Sequence, residues 1–259
     1  MRLDLYILQH FDLKSRTYAS DAIKEGRVLV NGKTILKPSF DITEEEVVLI
    51  PKEVEYVSRG AYKLQSAFSA FQINADSKNI VDIGASTGGF TDFCLKQNAK
   101  HVWSVDVGTL QLDPILKEHE KVTCLENTNA LSLTKEMVPE PIDLVVMDVS
   151  FVSVETLLPF LIQFFDHAMF VVLIKPQFEA GKRYLNKQGI VKDKKVHQQI
   201  LEHVYSFVKQ EGCYVFNMCS SELKGKDGNQ EYFIYFSKIP YQKEMPYLKI
   251  QSLICHSST

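Results

Sequence analysis

The chain lacks the marks of several protein classes. Its five cysteines, Cys94, Cys124, Cys213, Cys219 and Cys255, form no C-x-x-C pair. An odd, scattered set argues against structural zinc and for reduced thiols in a cytosol. The seven histidines are scattered too. His197 and His203, six apart, do not share a helix face well enough to chelate a metal, so no metal site is expected. The longest apolar run, Ala168 to Ile174, is far below the roughly 20 residues of a membrane span. Met1-Arg2-Leu3-Asp4 lacks the apolar core of a signal peptide. These absences predict a cytoplasmic protein with no membrane partner. Net charge is only −3, so any RNA-binding surface has to be a local patch. Neither G-x-G-x-x-G nor G-x-x-x-x-G-K-[ST] occurs, which disfavours a dinucleotide fold and a phosphate loop.

What is present is another glycine loop, Asp82-Ile83-Gly84-Ala85-Ser86-Thr87-Gly88-Gly89-Phe90. It follows an apolar strand, Asn79-Ile80-Val81, and precedes a helix starting near Thr91. Glycines let the backbone approach a ligand, and free helix N–H groups point at it. No lysine follows to meet a phosphate, and an acid opens the loop. A cationic, phosphate-free cofactor suits that chemistry, and S-adenosylmethionine fits the description. Asp106 ends the next strand, in Ser104-Val105-Asp106-Val107-Gly108. An acid there can bridge the two hydroxyls of a ribose, a geometry that also serves NAD. Past the third strand, Asn127-Thr128-Asn129 offers amides for an adenine edge, Asn129 being the weakest of these assignments.

Residues 1–52 read as a small α+β unit and 53–58 as a linker. Ser15 can cap a helix stopped by Gly26, and Asn31-Gly32 turns a hairpin within Arg27–Thr34. Residues 1–40 carry seven Lys and Arg against four acids, whereas Asp41–Glu55 holds six acids and Lys52 alone. Those basic side chains form either a solvated mixed surface or a track for a phosphate backbone. From Ser58 onward helix and strand alternate. Strands are predicted at 80–83, 102–105, 122–125, 142–147, 170–174, 214–218 and 232–236, with helices near 90–97, 110–118, 153–165 and 195–210. The pattern is α/β: a doubly wound, Rossmann-like sheet over residues 59–238. A loop joins its last two strands, implying an antiparallel strand at one edge. Residues 239–259 form a tail with no assigned role.

Methyl transfer from a sulfonium needs an in-line nucleophile and, for a hydroxyl, a base or strong orientation. Asp148 and Lys175 stand at the carboxyl ends of two apolar strands, where charged residues border the cleft. A strand-end salt bridge is the plainer reading of this pair. By pattern alone Lys63 is a surface lysine and Glu231 a strand-start acid.

The chain resembles the TlyA family, which joins an alpha-L RNA-binding domain to an FtsJ-like ribose methyltransferase domain. The resemblance spans roughly residues 1–237. It rests on Val57-Ser58-Arg59-Gly60-Ala61-Tyr62-Lys63-Leu64, Asp82–Asp92, Asp148-Val149-Ser150-Phe151, Ile174–Gly181 and Gly228-Asn229-Gln230-Glu231. It implies a catalytic tetrad, Lys63, Asp148, Lys175 and Glu231, in which Lys175 activates a ribose 2′-hydroxyl and Asp148 positions it. It implies S-adenosylmethionine held by Asp82, Gly84, Ala85, Ser86, Thr87, Gly88, Gly89, Phe90, Asp106, Val107 and Asn129. It also implies ribosomal RNA, within ribosomal subunits, as the partner of Arg16, Arg27, Lys33 and Arg59. Cytidine ribose is the family's target, and some members carry a haemolysin label. The acidic stretch 41–55 and the residues after Ser237 depart from the pattern. A cytolysin, a non-catalytic ribosome-assembly factor and a nicotinamide dehydrogenase are the competing readings.

Overall fold

The computed structural model describes residues 1–11, 13, 15–43, 46–50, 56–225 and 227–255. The chain forms two compact units, Met1–Glu55 and Tyr56–Thr259. Residues 53–55 of the expected 53–58 linker lie outside the described residues.

In the first unit, helices α1 (Leu3–His10) and α2 (Arg16–Lys24) accompany strands β1 (Val28–Val30), β2 (Lys33–Thr34) and β3 (Val47–Leu49). The strands are antiparallel, in the order β2-β1-β3. Ser15 Oγ accepts from Tyr18 N at 3.2 Å, capping α2. Asn31 and Gly32 both take positive φ, as the hairpin turn requires. Leu3, Ile7, Ala22, Ile23, Val28 and Ile42 make a small core of their own. Helix α1 was not anticipated: Arg2 caps it without a side-chain bond. Leu3, Leu5, Tyr6, Ile7 and Leu8 also spread apolar character around it, which blurs the 3.6-residue period.

The second unit begins with α3 (Gly60–Phe71) and continues β4 (Asn79–Ile83), α4 (Gly89–Lys96), β5 (His101–Val105), α5 (Pro114–Lys117) and β6 (Val122–Leu125). Then come β7 (Leu144–Met147), α6 (Val154–Phe164), β8 (Met169–Ile174), α7 (Pro176–Glu179), α8 (Lys194–Gln210), β9 (Tyr214–Ser220), β10 (Tyr232–Ser237) and α9 (Lys249–Cys255). The sheet order is β6-β5-β4-β7-β8-β10-β9. The first five strands are parallel, and β10 runs antiparallel to both β8 and β9. The antiparallel edge arises because β10 inserts between its two neighbours. Strand alternation splits the interior: Val81, Ile83 and Val145 face the side covered by α6 and α8, while Ile80, Val102 and Val146 face α3 and α4. Strand order reverses at β4, which puts the ligand crevice at its carboxyl end.

Two expectations are corrected. The helix near 110–118 shrinks to four residues, because Pro114 opens it and Asp113 caps it through Ile115 N at 3.0 Å. The stretch after Ser237 is built into the second unit: Met245 N donates to Val215 O on edge strand β9 at 2.8 Å. Met245 and Ile250 are buried there, and Lys249 Nζ reaches Asn217 Oδ1 at 3.0 Å.

Candidate active site

The glycine loop leaves the centre of the sheet. Gly84 has φ +80°, and a Cβ on it would lie 2.6 Å from Asp148 O, so only glycine allows β4 and β7 to end side by side. Helix α4 starts at Gly89 without a side-chain cap from Gly88, whose φ is +91°. Ser86 and Thr87 are exposed, whereas Ala85, Gly88 and Gly89 are buried. Phe90 packs into the core, its ring 6.3 Å from that of Phe233.

Asp82 is wholly buried. Its Oδ2 accepts from Thr91 Oγ1 at 2.7 Å, Thr91 also meets Ser104 Oγ at 2.7 Å, and Oδ1 has no partner among the described residues. Burial pushes this carboxyl up to about 7; Thr91 opposes that rise, and the nearby carboxylates Asp148 and Asp106 add to it. Asp106 ties two loops together, accepting from Ser86 N at 2.8 Å and Gly108 N at 2.7 Å. Val107 is 71% exposed beside it. Asn129 caps the short 3₁₀ turn 130–132 through Leu131 N at 3.0 Å, so its oxygen already has an internal role.

Sequence reasoning missed Glu126. It accepts from Gln111 N at 2.7 Å, Leu112 N at 3.0 Å and Lys117 Nζ at 2.9 Å, fixing the loop after Asp106. The Leu112 N–H and the Lys117 ammonium hold its carboxyl down at about 2. That loop and Thr87 line a cleft of about 460 Å³, together with Val57.

The four tetrad candidates form two ion pairs. Lys175 Nζ lies 2.6 Å from Asp148 Oδ1 and donates to Ser150 Oγ at 2.8 Å. The contact with Asp148 is ionic rather than an aligned hydrogen bond, since that oxygen has no hydrogen-bond partner among the described residues. Lys63, from α3, donates to Glu231 Oε2 at 2.6 Å, and Gln177 Nε2 approaches Glu231 Oε1 at 3.5 Å. Strand register relates the pairs: Tyr232 faces Ile174, which sets Glu231 and Lys175 just beyond the same end of neighbouring strands. Glu231 is 2% exposed, and Gly225 leaves it room, because a Cβ there would sit 2.5 Å from Oε1. Beside Lys175 an exposed aromatic face is available. Phe151, at φ +65°, is 91% exposed and lies 5.1 Å from Phe178, whose ring is 5.9 Å from Lys175 Nζ. A lysine paired with a carboxylate, beside a solvent-facing ring, suits proton transfer at a hydroxyl next to a stacked base.

Residues 56–238 match the FtsJ-like methyltransferase model, which is more than half of the chain. The chain belongs to the FtsJ-like methyltransferases. Residues 1–48 match the S4 domain. The resemblance to TlyA holds: the chain is 36% identical over 237 residues to the 16S/23S rRNA (cytidine-2′-O)-methyltransferase TlyA of Mycobacterium tuberculosis, covering 90% of this chain and 88% of that protein. It is 38% identical over 238 residues to Hemolysin A of Brachyspira hyodysenteriae, covering 91% and 99%. A solved structure from Streptococcus thermophilus that bears the hemolysin name superposes with a TM-score of 0.76 at 32% identity, covering 98% of this chain and 94% of that one.

In this FtsJ-like chain the S4 unit distributes its cations unevenly. Arg16 Nε binds buried Asp4 at 3.0 Å, although the side chain stays half-exposed. Arg27 is largely withdrawn: it bonds Glu25 Oε2 at 3.0 Å and Ile50 O at 3.2 Å, lies over the Tyr18 ring, and keeps only 12% of its side chain exposed. Lys33, on the hairpin, is exposed, and so is Arg59, which belongs to the second unit just before α3. The described residues hold no helix long and apolar enough to cross a membrane and no group of side chains able to hold a metal ion. Cys94, Cys124, Cys213 and Cys219 are free thiols. His197, set aside above as a metal ligand, bonds Val191 O at 2.8 Å and Tyr232 Oη at 3.1 Å.

Proposed function

We propose that the protein transfers a methyl group from S-adenosylmethionine to a ribose 2′-hydroxyl, that of a cytidine, in ribosomal RNA of a ribosomal subunit, and so works in the cytoplasm. The observation that carries the reading is the Lys175–Asp148 pair at the carboxyl ends of adjacent strands, flanked by Lys63–Glu231. The TlyA relatives, named for this reaction, support it.

The donor set fits the cofactor. Asp148 and Asp106 both lie close enough to repel a charge on Asp82, and a ligand bearing ammonium and sulfonium charges would relieve that repulsion. Bound S-adenosylmethionine supplies an electrophilic methyl on a sulfonium leaving group. The exposed loop residues Ser86 and Thr87 and the start of α4 would hold it, with Asp106 the acceptor for its ribose hydroxyls and Val107 a neighbour for its base. Once its ammonium has lost a proton to solvent, Lys175 as the neutral amine takes the proton of the target 2′-hydroxyl as the oxygen–carbon bond forms. Asp148 holds Lys175 in place and balances the ammonium that results. Glu231 anchors Lys63, which orients the substrate ribose or its phosphate.

Labelled S-adenosylmethionine and separate, unmodified small and large subunits test the reading, with Lys175→Ala as control. Label at one alkali-resistant ribose, lost in the variant, is the expected result. Undiminished transfer by the variant removes Lys175 as base. Red-cell lysis by pure protein, with no label in either subunit, replaces the reading with a cytolysin.

A further inference from the structure

Six of the chain's 29 Lys and Arg fall within residues 182–195: Lys182, Arg183, Lys187, Lys192, Lys194 and Lys195. All six are exposed, in a protein whose net charge is −3. The one acid among them, Asp193, caps α8 through Lys195 N at 2.8 Å and so lies against the helix N-terminus. Lys182, Lys187, Lys192 and Lys195 have no ion pair with a described carboxylate. Arg183 stacks on the half-exposed ring of Tyr184, 4.7 Å away.

The segment is held firmly. Asn186 Oδ1 accepts from Gln188 N and Ile190 N, both at 2.9 Å. Buried Asn229 accepts from Val191 N and donates to Gly189 O, each at 3.0 Å. His197 links Val191 O to Tyr232 Oη. Asn229 and Tyr232 flank Glu231, and α7 joins the segment's start to Lys175. The cations thus stand on a preorganised ledge fastened to the same strand ends as both ion pairs.

We infer that the ledge 182–195 is the catalytic unit's docking surface for an RNA phosphate backbone, gripping the strand that carries the target ribose. The inference rests on the proposed RNA substrate. Backbone contacts of this kind position a substrate without taking part in the chemistry, and each contributes to the salt dependence of binding.

The experiment compares wild type, Lys182→Ala/Lys187→Ala/Lys192→Ala, and a control, Lys78→Ala/Lys100→Ala/Lys121→Ala, at the opposite ends of β4, β5 and β6. Affinity for unmodified ribosomal subunits is measured against salt, with cofactor affinity and methyl transfer alongside. The ledge triple should lower the log–log salt slope by about 2 to 3 and raise the KM for subunits about tenfold or more, with kcat and cofactor affinity unchanged. The control should leave the slope alone, and the Lys→Arg version of the ledge triple should restore it, which separates charge from folding. Equal slopes for the two triples overturn the inference even if wild type transfers methyl normally. A slope lowered only by the ledge triple, in a protein with no transferase activity, keeps the docking surface and removes the catalytic reading. A loss confined to anionic phosphatidylserine vesicles, with subunit binding intact, overturns it in favour of a lipid surface.

Discussion

The two ion pairs differ in how they are assembled. Lys175 and Asp148 stand on adjacent parallel strands, each at the point where a buried apolar run ends. Lys63 and Glu231 come from a helix and from the start of an antiparallel strand, 168 residues apart in the chain. The first pair follows from the general geometry of a doubly wound sheet, while the second exists only because β10 inserts beside β8. The pairs differ in openness at the carboxylate alone: Asp148 keeps 20% of its side-chain exposure against 2% for Glu231, while Lys175 at 11% and Lys63 at 13% are alike.

The comparison breaks most severely if Lys175 proves dispensable. Lys175→Ala should lower methyl transfer about 10³-fold, with cofactor affinity unchanged in a binding titration. The buried pair should instead reveal itself in stability. Glu231→Ala strands the Lys63 ammonium and should cost about 3 kcal/mol in urea unfolding. Adding Lys63→Met should recover most of that stability and none of the activity. Gly225→Ala is a smaller displacement: its Cβ crowds Glu231 Oε1, and transfer should fall about tenfold in a fixed-substrate assay while cofactor affinity holds.

Asp82 sharpens the comparison from beneath the open pair. Its folded carboxyl titrates near 7, well above the ordinary range near 4. Between those values the folded apoprotein holds a proton that the unfolded chain has released. Stability from this group is therefore full below about pH 4, falls as pH rises and is lost above about 7. Asp82→Asn should flatten that dependence, raising the urea midpoint at pH 8 more than at pH 5. A midpoint shift equal at both pH values would remove the buried charge from the account.

Much of this was legible beforehand. The strands of the sheet, the Ser15 cap and the Asn31-Gly32 turn are encoded locally, and the strand-end rule singled out Asp148 and Lys175 without help. Lys63 and Glu231 carry no local signal; they emerged only from the family resemblance, because their pairing depends on a register between distant strands. Glu126, Gly225 and Asn229 were missed for the same reason: each acts on a loop that sequence distance hides. Arg27 is the converse case. Charge invites a contact with RNA, but the folded unit surrounds the guanidinium with Glu25, Ile50 O and Tyr18. The basic ledge was visible as composition, yet only the fold attaches it to the strand ends that matter.

The late insertion of β10 also bears on the order of synthesis. A chain emerging from its N-terminus can form the five parallel strands, the glycine loop and the Lys175–Asp148 pair before Glu231 has been made. Lys63 is among the earlier parts of the site to be translated and waits longest for its partner. A truncated product ending before Glu231 therefore lacks both the partner of Lys63 and the strand between β8 and β9. On the proposed roles, competence should arrive only with the last strand, leaving an unfinished chain inactive.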